Sequence, residues 1–180
     1  MKIRIIAGQW RGRKLIVLDK PNLRPTPNRL RETLFNWLTP HLPGSKCLDV
    51  FAGSGALGIE AASRGAKWVL LVEKEIDIAK NLHQHLITLN SKNINVKQID
   101  AVKFLQKESP EMFDIIFLDP PFEQNLLIPC CNLLELCLNK PAHIYLETNK
   151  NIINLPSNWQ IIRQQKAGHV LGTLVFRSDK

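Results

Sequence analysis

The residues best suited to chemistry in this 180-residue chain are a glycine turn and the acids that follow it at strand-like intervals. In Leu48-Asp49-Val50-Phe51-Ala52-Gly53-Ser54-Gly55-Ala56-Leu57-Gly58, three glycines with G-x-G-x-x-G spacing join an apolar run to a helical pattern. A strand turning sharply into a helix offers unpaired N–H groups and the positive end of the helix dipole, and glycines let a ligand approach the main chain. Such a turn suits an anionic or carboxylate-bearing ligand. Its spacing alone leaves a dinucleotide and S-adenosylmethionine (SAM) both open. Glu73, 15 residues after Gly58, is placed to accept the two hydroxyls of an adenosine ribose. Asp100 is placed either to accept from an adenine amino group or to cap the helix that follows it.

The deciding stretch is Asp119-Pro120-Pro121-Phe122, after the apolar run Ile115-Ile116-Phe117-Leu118. Two consecutive prolines fix the backbone and remove two donors, so carbonyls there can face a ligand as acceptors. A carboxylate and a rigid carbonyl can hold the N–H bonds of a planar amino group, and a neighbouring aromatic ring can stack on the base bearing it. This arrangement aims a nitrogen attached to a π-system. A hydride-transfer enzyme has no need of it.

These residues require a parallel sheet to position them. Strand patterns at 47–52, 68–73, 95–100, 113–118 and 143–147 alternate with helical patterns at 56–64, 75–89, 101–107 and 124–138. Such alternation predicts an α/β, doubly wound sheet whose ligands sit beyond the C-terminal strand ends, where Asp49, Glu73, Asp100 and Asp119 lie. Residues 159–165 and 170–177 predict a closing antiparallel hairpin. Before the sheet, 2–6 and 13–18 predict a β-hairpin with Trp10 and Arg11 at its tip, Pro21 to Pro27 a stiff connector, and 27–38 a helix capped by Thr26. The domain reading is therefore an N-terminal extension, 1–44, and a main domain, 45–180.

Charge separates the same two segments. Nine of the 24 Lys and Arg fall within residues 1–31, where Asp19 is the sole acid, so this segment carries the whole net charge of +8. A basic arm on a neutral domain points to a polyanion partner. Trp10 flanked by Arg11 could stack on a base while holding a phosphate or could fold back onto the domain, and Arg29 near the helix start could face a ligand. The four cysteines form no C-x-x-C pair and read as buried thiols, with no metal site expected. The absence of a signal-like or membrane-length apolar run leads us to expect a cytoplasmic protein.

Asp49–Gly58 with Glu73, Asp100 and Asp119–Phe122 resembles the Rossmann-like class I SAM-dependent methyltransferases, in particular those modifying exocyclic or amide nitrogens. The N-terminal segment narrows the resemblance. Arg4-Ile5-Ile6-Ala7-Gly8-Gln9-Trp10-Arg11-Gly12-Arg13-Lys14-Leu15, Arg24-Pro25-Thr26 and Arg29-Leu30-Arg31-Glu32-Thr33-Leu34-Phe35-Asn36-Trp37-Leu38 are similar to the RsmD family of 16S ribosomal RNA (guanine-N2)-methyltransferases. The resemblance implies that Gly53, Ser54 and Gly55 line the methionine part of SAM, that Glu73 binds its ribose and Asp100 its adenine, with Asp49, Phe51, Lys74 and Ala101 beside them. It implies that Asp119, Pro120, Pro121 and Phe122 receive the guanine (family target 966), and that Arg4, Trp10, Arg11, Arg13, Lys14, Arg24 and Arg29 contact RNA. The implied partner is 16S rRNA within the small ribosomal subunit or an assembly intermediate, met by a monomer without metal. Ala7 stands where the family often has a second glycine, and Gly168-His169-Val170-Leu171-Gly172 lacks a family aromatic. The motifs leave three other readings: an amino-methyltransferase acting on DNA adenine or a protein amide, an NAD-dependent dehydrogenase, and a non-catalytic RNA-binding assembly module.

Overall fold

The computed structural model describes residues 1–20, 26–107, 112–149 and 154–178. Its centre is a seven-stranded sheet. The strands are β3 (Lys46–Asp49), β4 (Trp68–Glu73), β5 (Ile94–Gln98), β6 (Phe113–Leu118), β7 (Leu138–Thr148), β8 (Trp159–Ala167) and β9 (Val170–Arg177). Their order is β5-β4-β3-β6-β7-β9-β8. The first five are parallel, and β9 adds antiparallel to both β7 and β8. The inner strands β4 and β6 read as near-continuous apolar runs because helices cover both of their faces, whereas the edge strand β5 carries exposed polar residues.

The chain winds outward in one direction from β3 to β5 and in the other from β6 to β7, so the order reverses between β3 and β6. Crossover helices diverge at such a switch point and leave a crevice at the C-terminal strand ends. Asp49 ends β3 and Asp119 directly follows β6, so the two acids flank that crevice.

One face is covered by α1 (Asn28–Leu38), α2 (Gly58–Ser63) and α3 (Ile76–Leu89), the other by α4 (Ala101–Gln106) and α5 (Leu127–Leu134). The N-terminal strands β1 (Lys2–Arg4) and β2 (Lys14–Ile16) pair antiparallel as a separate ribbon. A two-stranded ribbon is marginal alone. Here Ile3, Ile5, Trp10, Leu15 and Val17 join the same core as Leu30, Leu34 and Phe35 of α1 and Ile59 of α2. The four cysteines are buried free thiols, and burial pushes all four above the usual thiol range. Among the described residues no helix is long and apolar enough to cross a membrane.

Three elements differ from the sequence reading. The segment predicted as a helix over 124–138 is a 3-10 turn at Phe122–Gln124 followed by α5, which stops at Leu134, and residue 138 already belongs to β7. Pairing of Leu138 with Phe113 and a hydrogen bond from Asn139 Nδ2 to Asp114 Oδ1 (2.7 Å) recruit these residues into the sheet. Thr26 does not cap α1, whose N-cap is Pro27. The first hairpin is three residues long on each side, its remaining length forming a loop folded against α2.

Candidate active site

The glycine turn is built to face a ligand. Gly53 and Gly55 hold φ values of 50° and 77°, a region favouring glycine, and these bends turn the chain from β3 into α2 within a few residues. Glu73, at the end of β4, accepts the Gly53 N–H with one oxygen (3.0 Å) and the Glu75 N–H with the other (2.9 Å). Each carboxylate oxygen carries two lone-pair sites, so both can still accept a hydroxyl. Asp100 caps α4, its Oδ1 accepting the Lys103 N–H at 3.0 Å. That cap fixes the side chain at the edge of the crevice. Phe51 is half-buried, Ser54 and Ala101 are buried, and Lys74 is exposed.

The opposite side is the corner after β6. Pro120 is buried, Pro121 exposed, and Asp119 and Phe122 are half-buried. The Pro121 carbonyl accepts the Gln124 N–H at 3.1 Å, which leaves that of Pro120 as the prolyl acceptor available to a ligand. Phe122 rests on the core beneath it, so its ring sits on a fixed base.

Asp119, half-buried itself, stands beside the buried acids Asp49 and Glu147. Asp49, 2% exposed, accepts the Gly58 N–H at its Oδ2 (2.9 Å). Burial pushes its carboxyl up to about 7 against that hydrogen bond, with the Glu73 and Glu147 charges adding to the rise. Glu147 on β7 accepts from Tyr145 Oη at 3.0 Å, and burial raises it too. Asp119 is raised by burial and then by the carboxylates of Glu147 and Asp49. Among the described residues none of these acids is in an ion pair and no acid cluster could hold a metal ion.

Glu147 and Tyr145 are absent from the sequence-based set. The signal was present, since Ile144-Tyr145-Leu146-Glu147 is another apolar strand ending in an acid, but the distance in sequence from the glycine turn concealed it.

The arm is fastened by two buried side chains of α2, Glu60 and Ser63. Glu60 of α2 accepts the Ile6 and Ala7 N–H groups at 2.8 and 3.0 Å and pairs with Arg64 at 2.7 Å. Ser63 adds Oγ as acceptor for the Trp10 N–H and its carbonyl for the Gln9 N–H. Trp10 is consequently 7% exposed within the core, folded back onto the domain and not presented at the hairpin tip for stacking on a base. Arg4, Arg11, Arg13, Lys14 and Arg29 are exposed, and Arg24 lies outside the described residues. Arg4, Arg11 and Arg31 line a surface cavity of about 330 Å³. Among these cations, Arg13 also donates to the Thr88 carbonyl (2.8 Å) and Arg29 to that of Lys166 (3.3 Å).

The donor set fits SAM. A carboxylate with spare lone pairs at the end of β4, a second at the start of α4 and a positive-φ glycine turn meet along one sheet edge. The family model described as Conserved hypothetical protein 95 matches residues 3–176. The Ribosomal RNA small subunit methyltransferase D of Escherichia coli strain K12 is 48% identical over 98% of this chain and 90% of its own length. The protein of that name from Haemophilus influenzae is 46% identical over 94% and 91%. Among solved structures, the Escherichia coli methyltransferase yhhF superposes with a TM-score of 0.91 at 44% identity, covering all of both chains. SMU.776, solved in complex with SAH, shares the fold at a TM-score of 0.68 and 14% identity, covering 81% of this chain and 49% of its own. The chain therefore belongs to the RsmD family.

Proposed function

We propose that this protein transfers a methyl group from SAM to the exocyclic N2 of one guanine in 16S rRNA, offered in the small ribosomal subunit or an assembly intermediate. The observation that carries the reading is the Asp119-Pro120-Pro121-Phe122 corner, standing across the β3/β6 switch point from the glycine turn. SAM supplies an electrophilic methyl on a sulfonium. Glu73 and Asp100 hold the adenosine end, and the turn at Gly53, Ser54 and Gly55 takes the amino-acid end. Asp49, Phe51, Lys74 and Ala101 surround them.

The guanine amino nitrogen is a poor nucleophile because its lone pair is delocalised into the ring. Hydrogen bonds from its N–H groups to Asp119 and to the Pro120 carbonyl localise that pair and aim it, so positioning and electrostatics supply most of the rate. The base leaves its stack to reach the pocket, and Phe122 replaces part of the lost stacking. Residues 1–44 are the RNA-binding extension in this reading, with Arg4, Arg11, Arg13, Lys14, Arg24 and Arg29 meeting phosphates. The protein acts in the cytoplasm as a monomer.

The test is transfer of labelled methyl from SAM to 16S RNA, given naked and as small-subunit particles from cells lacking the enzyme, with the product nucleoside identified. N2-methylguanine at a single position supports the reading. Absence of transfer to both, with SAM binding intact, overturns it and directs the search to DNA adenine or protein amides.

A further inference from the structure

Glu147 has no part in the chemistry described above, yet it is among the most deeply buried acids in the molecule, at 2% exposure. Strands β6 and β7 run parallel with Leu118 opposite Leu146, so Asp119, directly after β6, and Glu147 of β7 follow the last pair as neighbours, close enough for the Glu147 charge to act on Asp119. Tyr145, two residues before Glu147 and on the same face, donates its hydroxyl to Glu147 Oε1 at 3.0 Å. On the antiparallel side Gly172 stands opposite Glu147. A Cβ there would lie 2.6 Å from Tyr145 Oη and 2.8 Å from Leu30 Cδ1, so the glycine makes room for the tyrosine that orients the acid. The Thr26 hydroxyl, at the entry to α1, stands beside the same carboxylate.

We infer that Glu147 is a positioning residue that shares one proton with Asp119, holding the two as a hydrogen-bonded monoanion whose charge faces the incoming amino group. Two neighbouring carboxylates in an apolar setting cannot both ionise, and the like charges of Asp49 on β3 and of Glu73 beyond it reinforce this. Tyr145 on β7 and Thr26 before α1 donate to Glu147 and so stabilise the one charge the pair keeps, and the glycine backbone of β9 closes the remaining side. Among the described residues no Lys or Arg pairs with any of these acids. The retained proton lies between Glu147 and Asp119, and the Tyr145 bond turns the other Glu147 oxygen away. Asp119 is thereby left with an oxygen that accepts an N–H of the base.

The inference rests on the methyl-transfer reading for the identity of that base. The nitrogen lone pair forms the N–CH3 bond as the S–CH3 bond breaks, its electron pair staying on sulfur. The N–H electron pair then returns to nitrogen while the proton passes to Asp119. The monoanion becomes a neutral pair, which afterwards releases one proton to water.

The experiment compares the wild-type protein with Glu147→Gln and Glu147→Ala. In the ligand-free proteins at neutral pH, infrared spectroscopy reads the carbonyl stretch of protonated carboxylic acid. The expected result is a band in the wild type that both variants reduce, any contribution from Asp49 remaining in all three. In methyl-transfer assays Glu147→Ala loses about 10²-fold in kcat, the scale of a misplaced reacting group, with KM for SAM unchanged. Glu147→Gln, which still donates to Asp119 and accepts from Tyr145, recovers most of that loss. A band equal in the wild type and both variants, or a Gln variant as slow as the Ala variant, overturns the inference. Absence of RNA methylation by the wild-type protein refutes the functional reading instead, and the infrared comparison still decides the shared proton.

Discussion

Glu60 provides the sharpest test of how the basic arm is attached, because its buried carboxylate accepts the N–H groups of both Ile6 and Ala7 and also pairs with Arg64, while Ser63 Oγ donates to the Ala7 carbonyl beside them. Its carboxylate is 1% exposed, and hydrogen bonds to a buried charged acceptor contribute about 1.5–3 kcal/mol each. Glu60→Ala leaves the Ile6 and Ala7 N–H groups without a partner and removes the charge opposite Arg64. The three losses are coupled and do not add, and we expect about 4 kcal/mol of lost stability. Glu60→Gln keeps one acceptor oxygen but turns an NH2 toward the second N–H, for a loss of about 2 kcal/mol. A domain of this size has about 5–15 kcal/mol in hand, so both variants fold. Urea unfolding measures the two losses, and native-state hydrogen exchange at Ile6 and Ala7 shows whether they come from the arm. Losses below about 1 kcal/mol in both variants, with exchange at those amides unchanged, would refute the claim that Glu60 is a fastening point.

Asp119→Ala is expected to abolish methyl transfer while SAM still binds by calorimetry, and near-normal turnover would remove Asp119 from the role assigned to it. Replacing Arg11, Arg13 and Lys14 together should lower the salt slope of RNA binding by about 2, at about 0.7 per single-strand phosphate contact, without altering SAM affinity. An unchanged slope would place the RNA contacts elsewhere. Burial, with the His41 ring tilted against it at 4.0 Å, lowers His143 to about 4 from 6.5, so the unfolded chain takes up this proton first and stability falls as pH drops from 6.5 toward 4. The raised carboxylates act in the opposite sense, so the comparison is between variants: His143→Asn should flatten the acid-side fall by about 2 kcal/mol in urea midpoints taken from pH 7 to 4. Gly8 holds φ at 82° with a would-be Cβ 1.8 Å from the Ser63 carbonyl, so Gly8→Ala should cost about 2 kcal/mol or more.

The crevice was legible in the sequence because its makers are local. An apolar run ending in an acid shows itself within six or seven residues, and Asp49, Glu73, Asp100 and Asp119 all lie within two residues of a strand end. The features that escaped depend on partners far along the chain. Trp10 looked like a tip residue until Ser63 and Glu60, more than fifty positions later, bound the loop that carries it. Thr26 has the composition of a cap but stands at Glu147, and residue 138 continued a helical pattern until pairing with Phe113 claimed it for β7. Periodicity likewise identifies strands without ordering them. The reversal between β3 and β6, which opens the crevice, is a property of the packed sheet.

The same distinction changes how the charge of the arm is to be counted. All of the net +8 lies within residues 1–31, yet the structure uses part of it internally. Arg31 is 1% exposed, donating to the Arg4 carbonyl at 2.8 Å and to Asn28 Oδ1 at 2.9 Å, so it joins β1 to α1. Arg13 is partly committed to the last turn of α3, where a cation is favoured by the exposed carbonyls. Lys20 pairs with Asp77 at 3.3 Å. A polyanion therefore meets a smaller set of exposed cations than composition suggests, but one on a rigid platform, since Glu60, Arg31 and the shared core fix the backbone beneath them. Rigid placement of a few cations loses less conformational entropy on binding than a flexible basic tail would. An arm built this way is suited to setting the register of a polyanion bound to it, in addition to attracting it.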